Sequence, residues 1–121
     1  MSHRILIVED QEDNRRILRD LLSSVGFELV EATTGEEGVR LAEINRPDLI
    51  LMDVQMPVLD GHEATRRIKA QPALSGIPII VITSYALSGD DAKAKAAGAD
   101  AYVAKPFSPR ALLATIRQFL P

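Results

Sequence analysis

Ile5-Leu6-Ile7-Val8-Glu9-Asp10 runs from four aliphatic residues straight into two acids, and Leu49-Ile50-Leu51-Met52-Asp53 repeats the pattern further along the chain. A third run, Ile77 to Ile82, is again nearly continuous in Ile and Val. A strand with one wet face alternates apolar and polar residues, whereas a continuous run fits a strand buried on both faces of a parallel sheet. Two weaker runs, Leu29 to Ala32 and Ala101 to Ala104, bring the strands to five. Helices must then cover both sides of the sheet.

The segments between the runs have helical spacing. Ile17, Leu18, Leu21, Leu22 and Val25 form one stripe opposite Arg15, Arg16, Arg19 and Asp20, and Gly26 ends that helix. A second helix starts after Thr34 as N-cap, passes through Val39, Leu41 and Ala42, and reaches Asn45, with Pro47 just beyond. Asp60 with Glu63, and Ser88 with Asp91, have the spacing of capping boxes for the third and fourth helices. The third stops before Pro72 and the fourth, rich in Ala, closes at Gly98. Ser108 caps the fifth, with Pro109 in its first turn and Leu112, Leu113, Ile116, Phe119 and Leu120 as its buried face.

Strand and helix thus alternate five times, with no linker or low-complexity stretch between them. The expected architecture is α/β: one domain over residues 1–121, a flavodoxin-like (βα)5 doubly wound parallel sheet. In that fold the ligand site lies beyond the carboxyl ends of the strands, where the winding reverses. For strand order 2-1-3-4-5 this point falls between strands one and three, so the loops after Val8 and Met52 should face each other.

Composition narrows the function. A chain of 121 residues can bury roughly two-thirds of its unfolded surface, enough for one core. No run approaches the roughly 18 apolar residues of a membrane span, and the N-terminus lacks a signal-peptide pattern, so the cytoplasm is the expected compartment. The absence of cysteine excludes disulfides, thiol nucleophiles and zinc-thiolate sites, and His3 and His62 stand far apart. Seventeen acids against fourteen bases give a net charge of -3, the wrong sign for a surface that grips nucleic acid.

Glu9, Asp10 and Asp53 should therefore converge at one rim. Carboxylates that close repel, so either their pKa values rise or a cation sits among them. An all-oxygen site open to water favours a hard divalent ion, Mg2+, which keeps coordination places for a phosphate. No glycine-rich phosphate loop follows the first strand, which removes the nucleotide and flavin alternatives. Thr83 and Lys105 end strands four and five on the same rim. A cation and Lys105 could neutralise phosphoryl oxygens, Thr83 could donate to another, and an Asp53 oxygen could attack phosphorus.

These residues resemble the receiver domain of two-component response regulators, the CheY-like family. The likeness spans the chain and rests on Val8-Glu9-Asp10, Asp53, Met56-Pro57-Val58-Leu59-Asp60-Gly61, Thr83-Ser84 and Lys105-Pro106-Phe107. It implies that Asp53 is the phosphoacceptor, supplied by a sensor histidine kinase, a histidine phosphotransfer protein or a small acyl phosphate. It implies Mg2+ held by Asp10, Asp53 and the Gln55 carbonyl, with Glu9 acting largely through water, and a cis Lys105–Pro106 bond. Lys105 would pair with the phosphoryl group, and Thr83 would move to bond it and let Tyr102 turn inward. That would remodel the face of helix four, strand five and helix five, where a downstream target docks and where activated receivers can dimerise. Gln55 and Tyr85 stand where the family tunes phosphate lifetime. Tyr102 reads equally as a half-buried strand aromatic with a polar tip. The chain ends after the fifth helix, so a stand-alone receiver without an output domain is expected, and Thr83 to Asp90 is similar to receivers of the DivK type.

Two other readings compete with this one. One keeps the fold as a docking module indifferent to phosphorylation, which the joint presence of Asp10, Asp53, Thr83 and Lys105 opposes. The other is a phosphohydrolase of the haloacid dehalogenase type, which needs a second Asp where Gln55 stands. Arg15, Arg16 and Arg19, together with Arg66, Arg67 and Lys69, read as solvated helix faces, and His62 as a surface residue.

Overall fold

The computed structural model describes residues 3–83 and 90–120. Five strands, β1 (Arg4–Val8), β2 (Glu28–Ala32), β3 (Leu49–Asp53), β4 (Ile79–Thr83) and β5 (Ala101–Ala104), alternate with five helices. The helices are α1 (Glu12–Ser24), α2 (Gly35–Asn45), α3 (Gly61–Lys69), α4 (Asp90–Ala97) and α5 (Pro109–Phe119). All strand pairs are parallel, in the order β2-β1-β3-β4-β5. This is the expected flavodoxin-like doubly wound sheet.

Because successive side chains on a strand point to opposite faces, each continuous apolar run feeds two cores. Leu6, Val8, Ile50, Met52, Ile79 and Val81 pack with Ala42, Ala64, Ile68 and Ala94 of α2, α3 and α4. Ile5, Ile7, Leu49, Leu51, Ile80 and Ile82 pack on the other face with Leu18, Leu22, Leu112 and Ile116 of α1 and α5. The central strands β3 and β4 are buried along their whole length, which explains why their sequences do not alternate.

The helix ends follow the local chemistry. Thr34 Oγ1 accepts from the Glu37 N–H at 3.0 Å, Asp60 Oδ1 from Glu63 at 2.9 Å, and Ser108 Oγ from Ala111 at 3.3 Å. Gly26, at φ +92°, and Gly98, at φ +101°, each close a helix by donating to the carbonyl three residues back. The expected cap pair Ser88 and Asp91 lies outside the described residues.

Several local expectations are corrected. β4 begins at Ile79 rather than Ile77, because the Ile77 N–H bonds back to Leu74 O in the preceding turn and Pro78 has no N–H to offer. The α1 stripe is narrower than its spacing suggested: Leu18 and Leu22 are buried, but Ile17 is 56% exposed and Val25 is also exposed. His62 is buried rather than a surface residue, since α3 packs between α2 and α4 and its first turn is covered. Lys69 is not solvated either; its ammonium donates to Ser75 O, Ile77 O and Asp100 Oδ2.

Candidate functional site

β1 and β3 are neighbours in register, Val8 beside Met52, so the residues that follow them meet at the carboxyl edge of the sheet. One carboxylate oxygen from each of Glu9, Asp10 and Asp53 lies within 4.8 Å of the others. Glu9, Asp53 and Thr83 are buried, at 1%, 4% and 0% exposed. Thr83 ends β4 beside them, and the Lys105 N–H bonds its carbonyl at 2.6 Å, which brings the end of β5 to the same rim. From there Lys105 Nζ reaches Asp53 Oδ1 at 3.1 Å and Glu9 Oε1 at 3.3 Å. The five residues singled out from sequence therefore meet at one place.

Electrostatics mark the cluster as short of positive charge. Burial pushes the Glu9 carboxyl up to about 7; the Gln11 N–H opposes this, Asp53 adds to it and Lys105 opposes it. Asp53 is also raised by burial, against the pull of Lys105 and a backbone bond from Gln55. Burial acts to lower the Lys105 ammonium, but Asp53 and Glu9 outweigh it and the net shift is upward. Among the described residues no group bonds the buried Asp10 Oδ1. A buried carboxylate oxygen without a donor is costly, and a hard cation among three carboxylates supplies what it lacks. The donor set thus fits Mg2+.

A pH dependence follows. A carboxyl raised by folding holds its proton more tightly in the folded chain, so its contribution is full below the unfolded value near 4.5 and is lost as pH rises through about 7. In chelator, the melting temperature should therefore fall between pH 4.5 and 7. Glu9→Gln should flatten that fall. Magnesium titrated calorimetrically near pH 7 should release protons, read as a dependence of the heat on buffer ionisation.

The Lys105–Pro106 peptide is cis. Tyr102 points outward at 36% exposure. Gln55 is half-buried two residues after Asp53, and Tyr85 lies outside the described residues. A cavity of about 470 Å3, which sequence reading did not foresee, opens beside the acids; its lining includes Glu9, Ile17, Leu18, Lys105, Phe107 and Pro109. Its wall includes Ile17, which fits the apolar stripe of α1 in sequence but is 56% exposed in the fold.

The sequence profile of the response regulator receiver domain matches residues 5–117. The chain belongs to the response regulator receiver family. It is similar to the polar-differentiation response regulator DivK of Brucella anthropi, 39% identical over 99% of this chain and 98% of that one. DivK of Brucella abortus is 38% identical over the same shares. Among solved structures, the receiver domain of sensor histidine kinase PA1611 from Pseudomonas aeruginosa superposes with a TM-score of 0.93 at 39% identity, covering 99% and 98% of the two chains. That receiver holds a magnesium ion in its active-site cleft. Chemotaxis protein CheY4 of Vibrio cholerae gives a TM-score of 0.92 at 30% identity, covering 98% and 99%. This receiver is thus a two-component signalling domain. No helix among its described residues is long and apolar enough to cross a membrane.

Proposed function

We propose that Asp53 is the phosphoacceptor of this receiver, charged by the phosphohistidine of a sensor histidine kinase or phosphotransfer protein. The observation that carries this is the Lys105 ammonium spanning Asp53 and Glu9 beside the orphaned Asp10 oxygen. An Asp53 oxygen attacks phosphorus, the P–N bond breaks, and its electron pair stays on the donor imidazole, which takes up a proton. The product is an acyl phosphate on Asp53.

Glu9, Asp10, Asp53 and the Gln55 carbonyl would hold Mg2+, which when bound neutralises phosphoryl oxygens and screens the carboxylates from one another. Lys105 is already within bonding distance of Asp53 and follows the new charge with little reorganisation. The Thr83 hydroxyl, at the end of β4, donates to a phosphoryl oxygen. Because Tyr102 stands outward in this state, the inward turn coupled to Thr83 changes the surface of α4, β5 and α5. That face is the docking site of a downstream protein, and of a second receiver if activation brings dimerisation. The chain catalyses only its own phosphorylation and dephosphorylation, and Gln55 and Tyr85 bear on how long the phosphate lasts.

The chemical test is lability. Protein phosphorylated by acetyl phosphate in Mg2+ should lose the group in neutral hydroxylamine and carry a hydroxamate at Asp53, mapped by peptide mass. A phosphoryl group that survives hydroxylamine, or maps to Thr83, contradicts the proposal.

A further inference from the structure

We propose that Arg15 is a positioning residue for the acidic loop, orienting the peptide between Glu9 and Asp10 for Mg2+; the inference rests on the metal-site reading above. Each polar group of Glu9 is engaged. Its N–H donates to Ala32 O at 3.0 Å, one carboxylate oxygen accepts from the Gln11 N–H at 3.1 Å, and the other faces Lys105. The remaining group, its carbonyl, accepts from Arg15 Nη1 at 2.9 Å. That carbonyl belongs to the peptide bond leading into Asp10. Because the peptide is planar, fixing its oxygen fixes the Asp10 nitrogen and Cα, and with them the base from which the Asp10 carboxylate projects.

Arg15 is built for the task. Its side chain is 12% exposed, against 58% for its neighbour Arg16, although both belong to the run that sequence reading assigned to a solvated face. The guanidinium also pairs with Glu12 in its own helix and approaches Glu31 of β2 at 3.5 Å. Glu31 is held in turn by Arg19 at 2.8 and 2.9 Å. One rigid fork thus ties α1, β2 and the metal-binding loop together, through a charge-assisted bond stronger than a neutral donor would make.

Two effects of Arg15 have opposite signs, and this makes the inference testable. A cation near the acids repels Mg2+, so if charge dominated, removing it would tighten metal binding. If positioning dominates, removal loosens it.

Magnesium is titrated calorimetrically into metal-free wild type, Arg15→Met, Arg15→Lys and Glu31→Gln, with amide exchange followed in the absence of metal. Arg15→Met keeps the aliphatic stem and lacks donors; it should weaken Mg2+ binding about tenfold, as loss of a group behind a metal ligand does. It should also speed exchange of the Gln11 amide. Arg15→Lys, which still reaches one acceptor, should recover to within about threefold, and Glu31→Gln should stay within about twofold of wild type. Should Arg15→Met not fold, Arg15→Gln replaces it in the comparison. Unchanged or tighter binding without the guanidinium overturns the inference, as does a Glu31→Gln loss equal to that of Arg15→Met. A wild type that takes up no Mg2+ overturns the metal site and this inference together, whereas normal wild-type uptake with an unaffected Arg15 variant overturns the inference alone.

Discussion

Gly61→Ala is expected to destabilise the receiver by about 3 kcal/mol or more, a large share of a typical domain's stability of about 5–15 kcal/mol. A Cβ at Gly61 would stand 2.1 Å from the Asp53 carbonyl oxygen, 2.8 Å from the Asp53 carbonyl carbon and 2.8 Å from Val54 Cα. All three are backbone atoms, so no side chain can swing away to make room. The start of α3 must retreat, which breaks the bond from the Gly61 N–H to Val54 O and moves the loop that follows Asp53. Urea unfolding should show the midpoint falling sharply. Gly76→Ala, where an added Cβ meets nothing within 4 Å, should stay within about 0.5 kcal/mol of wild type. A Gly61→Ala protein as stable as Gly76→Ala would contradict the close approach of α3 to the end of β3.

The second large effect is at Lys105. Lys105→Met preserves length and apolar stem but leaves Glu9 and Asp53, both nearly fully buried, without their shared ammonium. Removing one partner of a fully buried ion pair costs about 3–5 kcal/mol; with Lys105 21% exposed, about 2 kcal/mol is expected at pH 8 in chelator. The cost should shrink at pH 5, where the Glu9 carboxyl, raised to about 7, is neutral in the fold. Adding Asp53→Asn should restore most of the loss, because the repulsion it relieves is the one Lys105 had offset. Phosphorylation by acetyl phosphate should slow by about a hundredfold, since a preorganised charge at the reacting oxygens is gone. Equal stability at pH 5 and pH 8 would show that the ammonium does not hold these carboxylates in the folded protein.

How far the sequence foretold all this varies by feature. Strands were legible wherever burial on both faces forced continuous aliphatic runs, and helix starts wherever a side chain caps its own backbone, as at Thr34, Asp60 and Ser108. The acidic rim was legible because topology alone sends the residues after β1 and β3 to one edge. Features that depend on tertiary context were not. Ile17 fits its helical stripe yet lines an open cavity, because α1 is covered on a narrower arc than its spacing allows. His62 is buried by helices distant in sequence. Arg15 and Arg16 are adjacent and alike in composition, and only the path of the acidic loop shows which of them turns inward. Gly61 was part of a recognised motif, but the backbone oxygen that demands it became visible only with the fold. Val58, 97% exposed at φ +68°, gave no sequence signal for its left-handed turn, which a branched residue adopts only under strain.

The central claim is a metal-dependent phosphoacceptor at Asp53, and intact mass tests it most directly. Wild type incubated with Mg2+ and acetyl phosphate should gain one phosphoryl group, while Asp53→Asn, and wild type in excess EDTA, should gain none. Wild type that stays unmodified even with a competent histidine kinase, or Asp53→Asn that is modified equally, would contradict it and favour a docking module indifferent to phosphate.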